Sequence, residues 1–404
     1  MRAYERLLNY VTYDTTSAEG ADTTPSTPGQ PLFARALVDE LRELGLADAH
    51  LSDECYVYAT LPASPGCEGA EALGLIAHMD TAPDFSGTGV RPRVIADYDG
   101  GDVALGEGRT LRVSDFPHLA ALRGQTLITA SGSTLLGADD KAGIAEIMTL
   151  LDELRFVPHG PLAICFTPDE EVGNGVLNFD MEQFPASAAF TVDGGPLGEL
   201  SWENFNAASA RVSFAGVNVH PGSAYGIMVN AARCAAEFDA LLPGCDTPRD
   251  STGREGYFYL TSISGDTSKA ESRYNLRDFS LEGLRGREEL IRRAARVINE
   301  RYGEGTASVA FREGYRNMRE KLLPDHAQLI EHARRAMREC GVEPVEVPVR
   351  GGTDGAELSW MGLPCPNLCT GGYAFHGPNE HITAEAMDKC VEILRRLVDI
   401  YSAR

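Results

Sequence analysis

LAICFTPDEEVGNG, residues 162–175, runs an unbroken apolar stretch straight into three consecutive acids. Leu162-Ala163-Ile164-Cys165-Phe166 shows no polar alternation, the pattern of a strand buried on both faces, as parallel sheets require. At its tip Glu170 and Glu171 stand side by side, where like charges repel and need solvent or a cation. Other apolar runs end the same way. LGLIA (73–77) ends in His78-Met79-Asp80, AAFTV (188–192) in Asp193-Gly194-Gly195, and TLIT (126–129) leads through SGSTLLG to Asp139-Asp140-Lys141. Further on, CTGGYAF ends in His376.

Between these runs lie helical patterns. PLFARALVDELRELG (31–45) sets Leu37, Leu41 and Leu44 on one stripe and stops at Gly45, a natural C-cap position, and Ile144, Ile147, Met148 and Leu151 repeat the pattern later. Such alternation predicts an α/β domain with a mostly parallel sheet covered by helices. In open α/β sheets ligand groups gather beyond the carboxyl ends of the strands, so these separate tips can converge in one crevice.

From about Asn206 the rhythm changes. ARVSFAGVNV reads as a strand; Ile227, Ala231, Cys234, Phe238 and Leu241 recur at helical spacing; GYFYLTSISGD and SRYNLRDFSL read as paired antiparallel strands. A helix through Leu290, Ile291, Ala294, Val297 and Ile298 and the run TASVAFRE complete a βαββαβ order, which predicts an inserted α+β, ferredoxin-like domain. Near Tyr315 the first rhythm resumes and continues to a last helix through Met387, Val391, Leu394 and Val398. The expected division is therefore a discontinuous domain of residues 1–205 and 314–404, interrupted by a lid domain of residues 206–313.

Composition narrows the function. Acids outnumber bases 59 to 36, which argues against a nucleic-acid partner, since phosphate binding needs a Lys/Arg surface. No apolar run approaches the roughly 20 residues of a membrane span, and the first residues carry no signal-peptide core. Nine scattered cysteines, an odd number, suit a reducing compartment, so a cytoplasmic protein is expected. The fingerprints of a serine-hydrolase elbow, a phosphate loop and a dinucleotide fold are missing from the sequence.

The acids and histidines at the tips point to metal chemistry. His78 alone reads more readily as a partly buried hydrogen-bonded histidine than as a ligand, although Asp80 two residues on could fix the tautomer of a metal-binding ring. Of Asp139 and Asp140, one could cap the helix that follows; the second then has no local explanation. Taken with Asp193, His376 and the Glu170-Glu171 pair, a mixed nitrogen and oxygen cation site becomes the economical account. Zinc accepts both donor types, and two zinc ions share a bridging carboxylate. One glutamate of the pair would then hold metal while its neighbour handles the proton.

HMDTAPD, LLGADDKAG, TPDEEVGNG, TVDGGPLGE, NVHPGSA, RGGTDGA and TGGYAFHG stand in an order and at spacings that resemble the peptidase T family, the tripeptide aminopeptidases of the di-zinc exopeptidase and deacylase superfamily. The resemblance covers essentially the whole chain. It implies a cofactor of two zinc ions per subunit, with His78 and Asp193 in one site, Glu171 and His376 in the other, and Asp140 bridging. It implies further that Asp80 orients His78, that Glu170 is the general base, and that domain closure brings His220 to the developing oxyanion. Arg277 and Arg350 are candidate anchors for a substrate carboxylate, since a guanidinium fork fits that group. Arg277, on a strand, could equally face solvent. Small peptides are the implied partners and a homodimer is plausible in this family. A deacylase, carboxypeptidase or dipeptidase on the same scaffold would use the same ligands. One departure stands out. GPNEH follows His376, where the family leads one to expect a basic or histidine residue near the glutamate, so contacts at Asn379 and His381 are not carried over, and His381 is expected to pack or face solvent.

Overall fold

The computed structural model describes residues 1–403, which divide into two compact units. The first comprises Met1–Trp202, Met318–Val347 and the chain from Thr353 onward; the second comprises Glu203–Asn317 and Pro348–Gly352. Residues 348–352 join the second unit because Val349 is bonded into it. Its N–H donates to the Glu203 carbonyl at 2.9 Å and its own carbonyl accepts from Phe205 N at 3.1 Å.

Among the described residues, the first unit is built on an eight-stranded sheet. Its centre is four neighbouring parallel strands, in spatial order Leu162–Thr167, Leu73–His78, Ala188–Gly194 and Asn367–Cys369. Leu162–Thr167 and Leu73–His78 are buried at every position, and side-chain alternation shows why the runs are unbroken. Leu75, Ala77, Ile164 and Phe166 enter one core, with helices Ala3–Tyr10, Ala138–Leu154 and Ala384–Ser402; Ile76, Ala163 and Cys165 enter another, with Tyr56, Tyr58, Phe179 and Phe184. Both faces are covered by apolar side chains, so the strands carry no polar residue before His78 and Thr167 at their ends.

Parallel pairing also brings the carboxyl ends of these strands to one edge, with His78 level with Thr167. On the neighbouring pair the register shifts, Leu368 facing Val192 and Cys369 facing Gly194, so Asp193 is left out of the ladder. A bulge of this kind re-aims the extra side chain. One strand departs from expectation. TLIT does form Leu127–Thr129, but it lies in a separate small antiparallel sheet between Arg93–Ile95 and His381–Thr383. Three residues satisfied by two antiparallel neighbours have no need of the central sheet.

The second unit has the order strand Asn206–Ala215, helix Ala231–Asp239, strands Tyr257–Gly265 and Lys269–Asp278, helix Leu281–Tyr302, strand Ala307–Glu313. The strands form a four-stranded antiparallel sheet in the order second, third, first, fourth, which is the ferredoxin-like arrangement. Its core is Val212, Phe214, Phe238, Tyr274, Leu276, Ile291 and Ile298 with their neighbours. The first helix is shorter than its apolar spacing suggests. Asn230 caps it through Arg233 N, leaving Ile227 and Leu241 outside and exposed.

Phe166 is fully buried next to the carboxyl end of its strand. Phe166→Ala is expected to destabilise the protein by about 3–5 kcal/mol, read as a lower urea midpoint with the slope unchanged.

Candidate metal centre

His78 closes its strand with the ring almost wholly buried. Its Nδ1 lies 3.1 Å from the Asp80 carbonyl oxygen and 3.4 Å from Asp80 Oδ1, while Nε2 faces Asp139 Oδ1 at 3.0 Å and Asp193 Oδ1 at 3.4 Å. His376 Nε2 faces Asp139 Oδ2 at 3.2 Å and Glu171 Oε2 at 3.0 Å, and its Nδ1 lies 3.5 Å from Asp84 Oδ2. Asp139 thus offers one oxygen to each imidazole. Two donor groups result, His78 with Asp139 and Asp193, and His376 with Asp139 and Glu171, the atoms of each lying within 4.8 Å of one another.

The surrounding acids hold the backbone that carries these donors. Both Asp80 oxygens accept backbone N–H groups, Oδ1 from Glu170 at 3.0 Å and Oδ2 from Glu171 at 3.1 Å, so the same residue touches His78 and fixes the acidic tip. Asp169 turns that tip with a left-handed φ of 55° and accepts from Ser26 N and Gln30 Nε2, each at 2.7 Å. This gives the run PSTPGQ, residues 25–30, a physical task. Glu380 accepts from Leu136 N at 2.7 Å, Gly137 N at 2.8 Å and Asp139 N at 3.0 Å.

The adjacent aspartates divide differently from expectation. Asp140 does not lie between the histidines: its Oδ2 accepts from His78 N at 3.1 Å and its Oδ1 from Gly143 N at 3.2 Å. Asp139 and Asp140 hold non-helical dihedrals, so Asp140 caps the regular part of the helix that follows and ties it to the end of Leu73–His78; against the neighbouring strand Ala188–Gly194 the helix lies so close that a Cβ on Gly143 would stand 1.9 Å from the Val192 carbonyl oxygen. Asp139 takes the shared position. Sequence reasoning also passed over Asp354, Asp84 and Glu380. Asp354 stands in the quoted RGGTDGA motif, is buried, and accepts from Thr167 Oγ1 at 2.7 Å; an acid inside a motif read only for its arginine was the available signal.

The remaining candidates lie in the second unit. His220 is exposed and accepts from Gly222 N at 3.2 Å through Nδ1, the local turn cap that competes with a catalytic reading. The Arg277 guanidinium lies 5.1 Å from the Tyr315 ring centroid and donates to the Leu276 carbonyl at 2.9 Å. Arg350 does not present a free fork. It donates to the carbonyls of Gly253 at 2.7 Å and Glu255 at 3.0 Å and to Ser251 Oγ at 2.7 Å, stacking over Phe205, so it fastens the 251–255 loop. In the first unit His381 packs: it is buried, stacked with His118 and Tyr373, and bonded through Nδ1 to the Asn379 carbonyl at 2.7 Å.

Charge at this edge is unbalanced. Burial opposes a charge on His78, but Asp193, Asp139 and Asp80 push its pKa well above the ordinary value. Hydrogen bonds to Asp139 and Glu171 push His376 to about 11. Burial raises the Asp193 carboxyl to about 6 and the Glu171 carboxyl to about 7, with nearby acids adding to it and the histidines opposing. Glu171 Oε1 is buried without a hydrogen-bond partner. An orphaned carboxylate oxygen beside imidazoles forced to hold protons is what a cation site looks like when protons stand in for cations.

The model of Peptidase family M20/M25/M40 matches residues 137–400. Peptidase T of Clostridium perfringens strain 13 is 47% identical over 406 residues, covering 100% of both chains. The chain belongs to this family, in its peptidase T branch. It is a metallo-aminopeptidase. Among solved structures, aminopeptidase PepT from Bacillus cereus ATCC 10987 superposes with a TM-score of 0.78 at 22% identity, covering 100% of this chain and 98% of that one. The YXEP protein of Bacillus subtilis, described as a dinuclear metal binding peptidase of the M20 family, shares the fold with a TM-score of 0.65 at 15% identity over 98% and 97% of the two chains.

Metal ligation requires neutral imidazoles, whereas the raised pKa values leave both histidines protonated at pH 7 in the metal-free protein. Loading with metal at pH 7 should therefore release protons, and affinity should rise with pH until His376 is deprotonated near 11. Calorimetry in buffers of different ionisation enthalpy measures that release.

Proposed function

We propose that the protein is a cytoplasmic, di-zinc aminopeptidase that removes the N-terminal residue from tripeptides. The observation that carries the metal reading is Asp139, which gives one oxygen to the group around His78 and the other to the group around His376. His78 and Asp193 would hold one ion, His376 and Glu171 the other, and Asp139 would be shared in place of Asp140. The donor set fits zinc, with one imidazole and two carboxylates on each side and open positions left for water and substrate. When bound, the two ions supply a Lewis acid for the peptide carbonyl and a water of lowered pKa.

The chain's own residues do the rest. Glu170 stands beside Glu171 with its backbone held by Asp80, and neither group of donors uses its carboxylate. In the metal-free protein burial, and next the charge of Asp193, push its carboxyl well above the usual range; nearby cations would bring it down to a value suited to proton exchange. Glu170 takes a proton from the attacking water and returns it to the departing amine. Asp80 keeps the His78 ring oriented by accepting from Nδ1. Substrate length selection by Arg277 and oxyanion stabilisation by His220 belong to the same proposal, supported by the resemblance. Arg350 would serve as a second anchor only by releasing the bonds it makes to the 251–255 loop. The cytoplasmic setting is supported by nine free cysteines, and pairing as a homodimer by the resemblance. No helix among the described residues is long and apolar enough to cross a membrane.

Glu170→Gln should retain its metal content and lose about 10²- to 10⁴-fold in kcat on Ala-Ala-Ala, assayed with metal analysis of the same sample. Retained turnover would remove Glu170 as the base. Asp139→Asn and Asp140→Ala separate the neighbouring aspartates. The former should lose both ions on dialysis, and the latter should keep its metal while melting at a lower temperature, as loss of a helix cap worth about 1 kcal/mol implies.

A further inference from the structure

His376 is carried on a loop that is closed at its ends and held between them by Phe375, which packs against the main core. Tyr373 and His381 close the loop with a reciprocal pair of backbone hydrogen bonds of 2.9 and 3.1 Å, and His381–Thr383 pairs with Leu127–Thr129. Inside it, Ala374 and His376 hold left-handed φ values of 55° and 61°, which side chains with a Cβ adopt only when their surroundings impose it. The His376 side chain is 44% exposed, so packing does not fix it.

Glu380 lies on this loop four residues after His376, and its carboxylate is almost fully buried. It reaches the turn that precedes helix Ala138–Leu154, where Gly137 at φ 82° aims successive backbone N–H groups inward. Oε2 accepts from Leu136 N and Gly137 N, and Oε1 accepts from Asp139 N. These donors lie at a helix start and would otherwise have no backbone acceptor. A carboxylate suits them because it is acceptor-only on both oxygens. A glutamine would turn an NH₂ toward at least one N–H.

We propose that Glu380 is a positioning residue for the reaction: by gripping the backbone of the Leu136–Asp139 segment from the His376 loop, it sets the separation between the shared Asp139 carboxylate and the His376 imidazole. This rests on the ligand assignment proposed above. It goes beyond it in giving one residue, which touches neither metal nor substrate, control over how well one ion is held relative to the other.

The test titrates metal-free wild type and Glu380→Gln with Zn²⁺ alone by calorimetry, and assays Ala-Ala-Ala hydrolysis at varied free Zn²⁺. Wild type should take up two equivalents. Glu380→Gln should bind zinc about 10- to 100-fold more weakly, the range for loss of a supporting hydrogen-bond partner. Its kcat should fall at limiting zinc and recover at saturating zinc, while KM for the tripeptide stays within about two-fold. Unchanged zinc affinity overturns the proposal, whether or not the metal-free variant melts earlier, since a purely structural role predicts earlier melting alone. If Glu380→Gln does not accumulate as folded protein, Glu380→Asp, which keeps the charge but withdraws it by one methylene, should show the same weakening, and wild-type affinity there is equally fatal. Failure of the wild type itself to take up two equivalents overturns the ligand assignment, and this inference with it.

Discussion

Repulsion among carboxylates is the constraint on which the catalytic edge depends. Asp139, Glu171 and Asp193 bring three acids around two imidazoles, with Glu170, Asp80 and Asp354 close behind. Left to themselves such groups would move apart or take up protons: burial first, and the neighbouring acids after it, raise the pKa values of Glu170, Glu171, Asp193 and Asp354. They stay together because each is placed by elements too well packed to yield. The parallel strands are buried on both faces, and helix Ala138–Leu154 is buried along nearly its whole length. The stability of the hydrophobic unit thus keeps an electrostatically unfavourable cluster ready for cations.

A second regularity lies in what the neighbouring acids do. Asp80 binds the N–H groups of Glu170 and Glu171, Asp140 those of His78 and Gly143, Asp169 that of Ser26, and Glu380 those of Leu136, Gly137 and Asp139. LLGADDKAG and TPDEEVGNG therefore each carry acids of two kinds, one facing the centre and one clamping backbone. Charge-assisted bonds to N–H groups are stronger than neutral ones, so the clamps hold loops that have few apolar contacts of their own. The acidic character of these segments is half chemistry and half scaffolding.

That division explains what was legible in the sequence. The buried strands were readable because an apolar run without alternation has few other homes, and the convergence of their tips followed from parallel pairing. The ferredoxin-like unit was readable from the order of its periodicities. Which member of an adjacent acidic pair faces inward was not, because Asp139 and Asp140 are chemically identical and only backbone direction separates them. Asp140 is turned toward His78 N and Gly143 N by the way the helix docks on the strand end, a tertiary fact with no local signature. Arg350 raises a similar difficulty. A guanidinium reads as an anion anchor until the 251–255 carbonyls that occupy it are seen.

The GPNEH departure takes on a different meaning in the structure. His381 belongs to a stack of rings with His118 and Tyr373, where burial pushes its pKa to about 4 and keeps it neutral. A neutral ring that donates from Nδ1 to the Asn379 carbonyl must accept at Nε2, so His118 Nε2, 2.8 Å away, is the donor. The stack stiffens the end of the His376 loop from which Glu380 projects. A basic side chain at that place would bring charge beside a carboxylate already satisfied by three N–H groups, whereas a neutral packed ring leaves those bonds undisturbed. The residues after His376 are therefore fitted to hold the loop, which makes them part of the support of the catalytic edge.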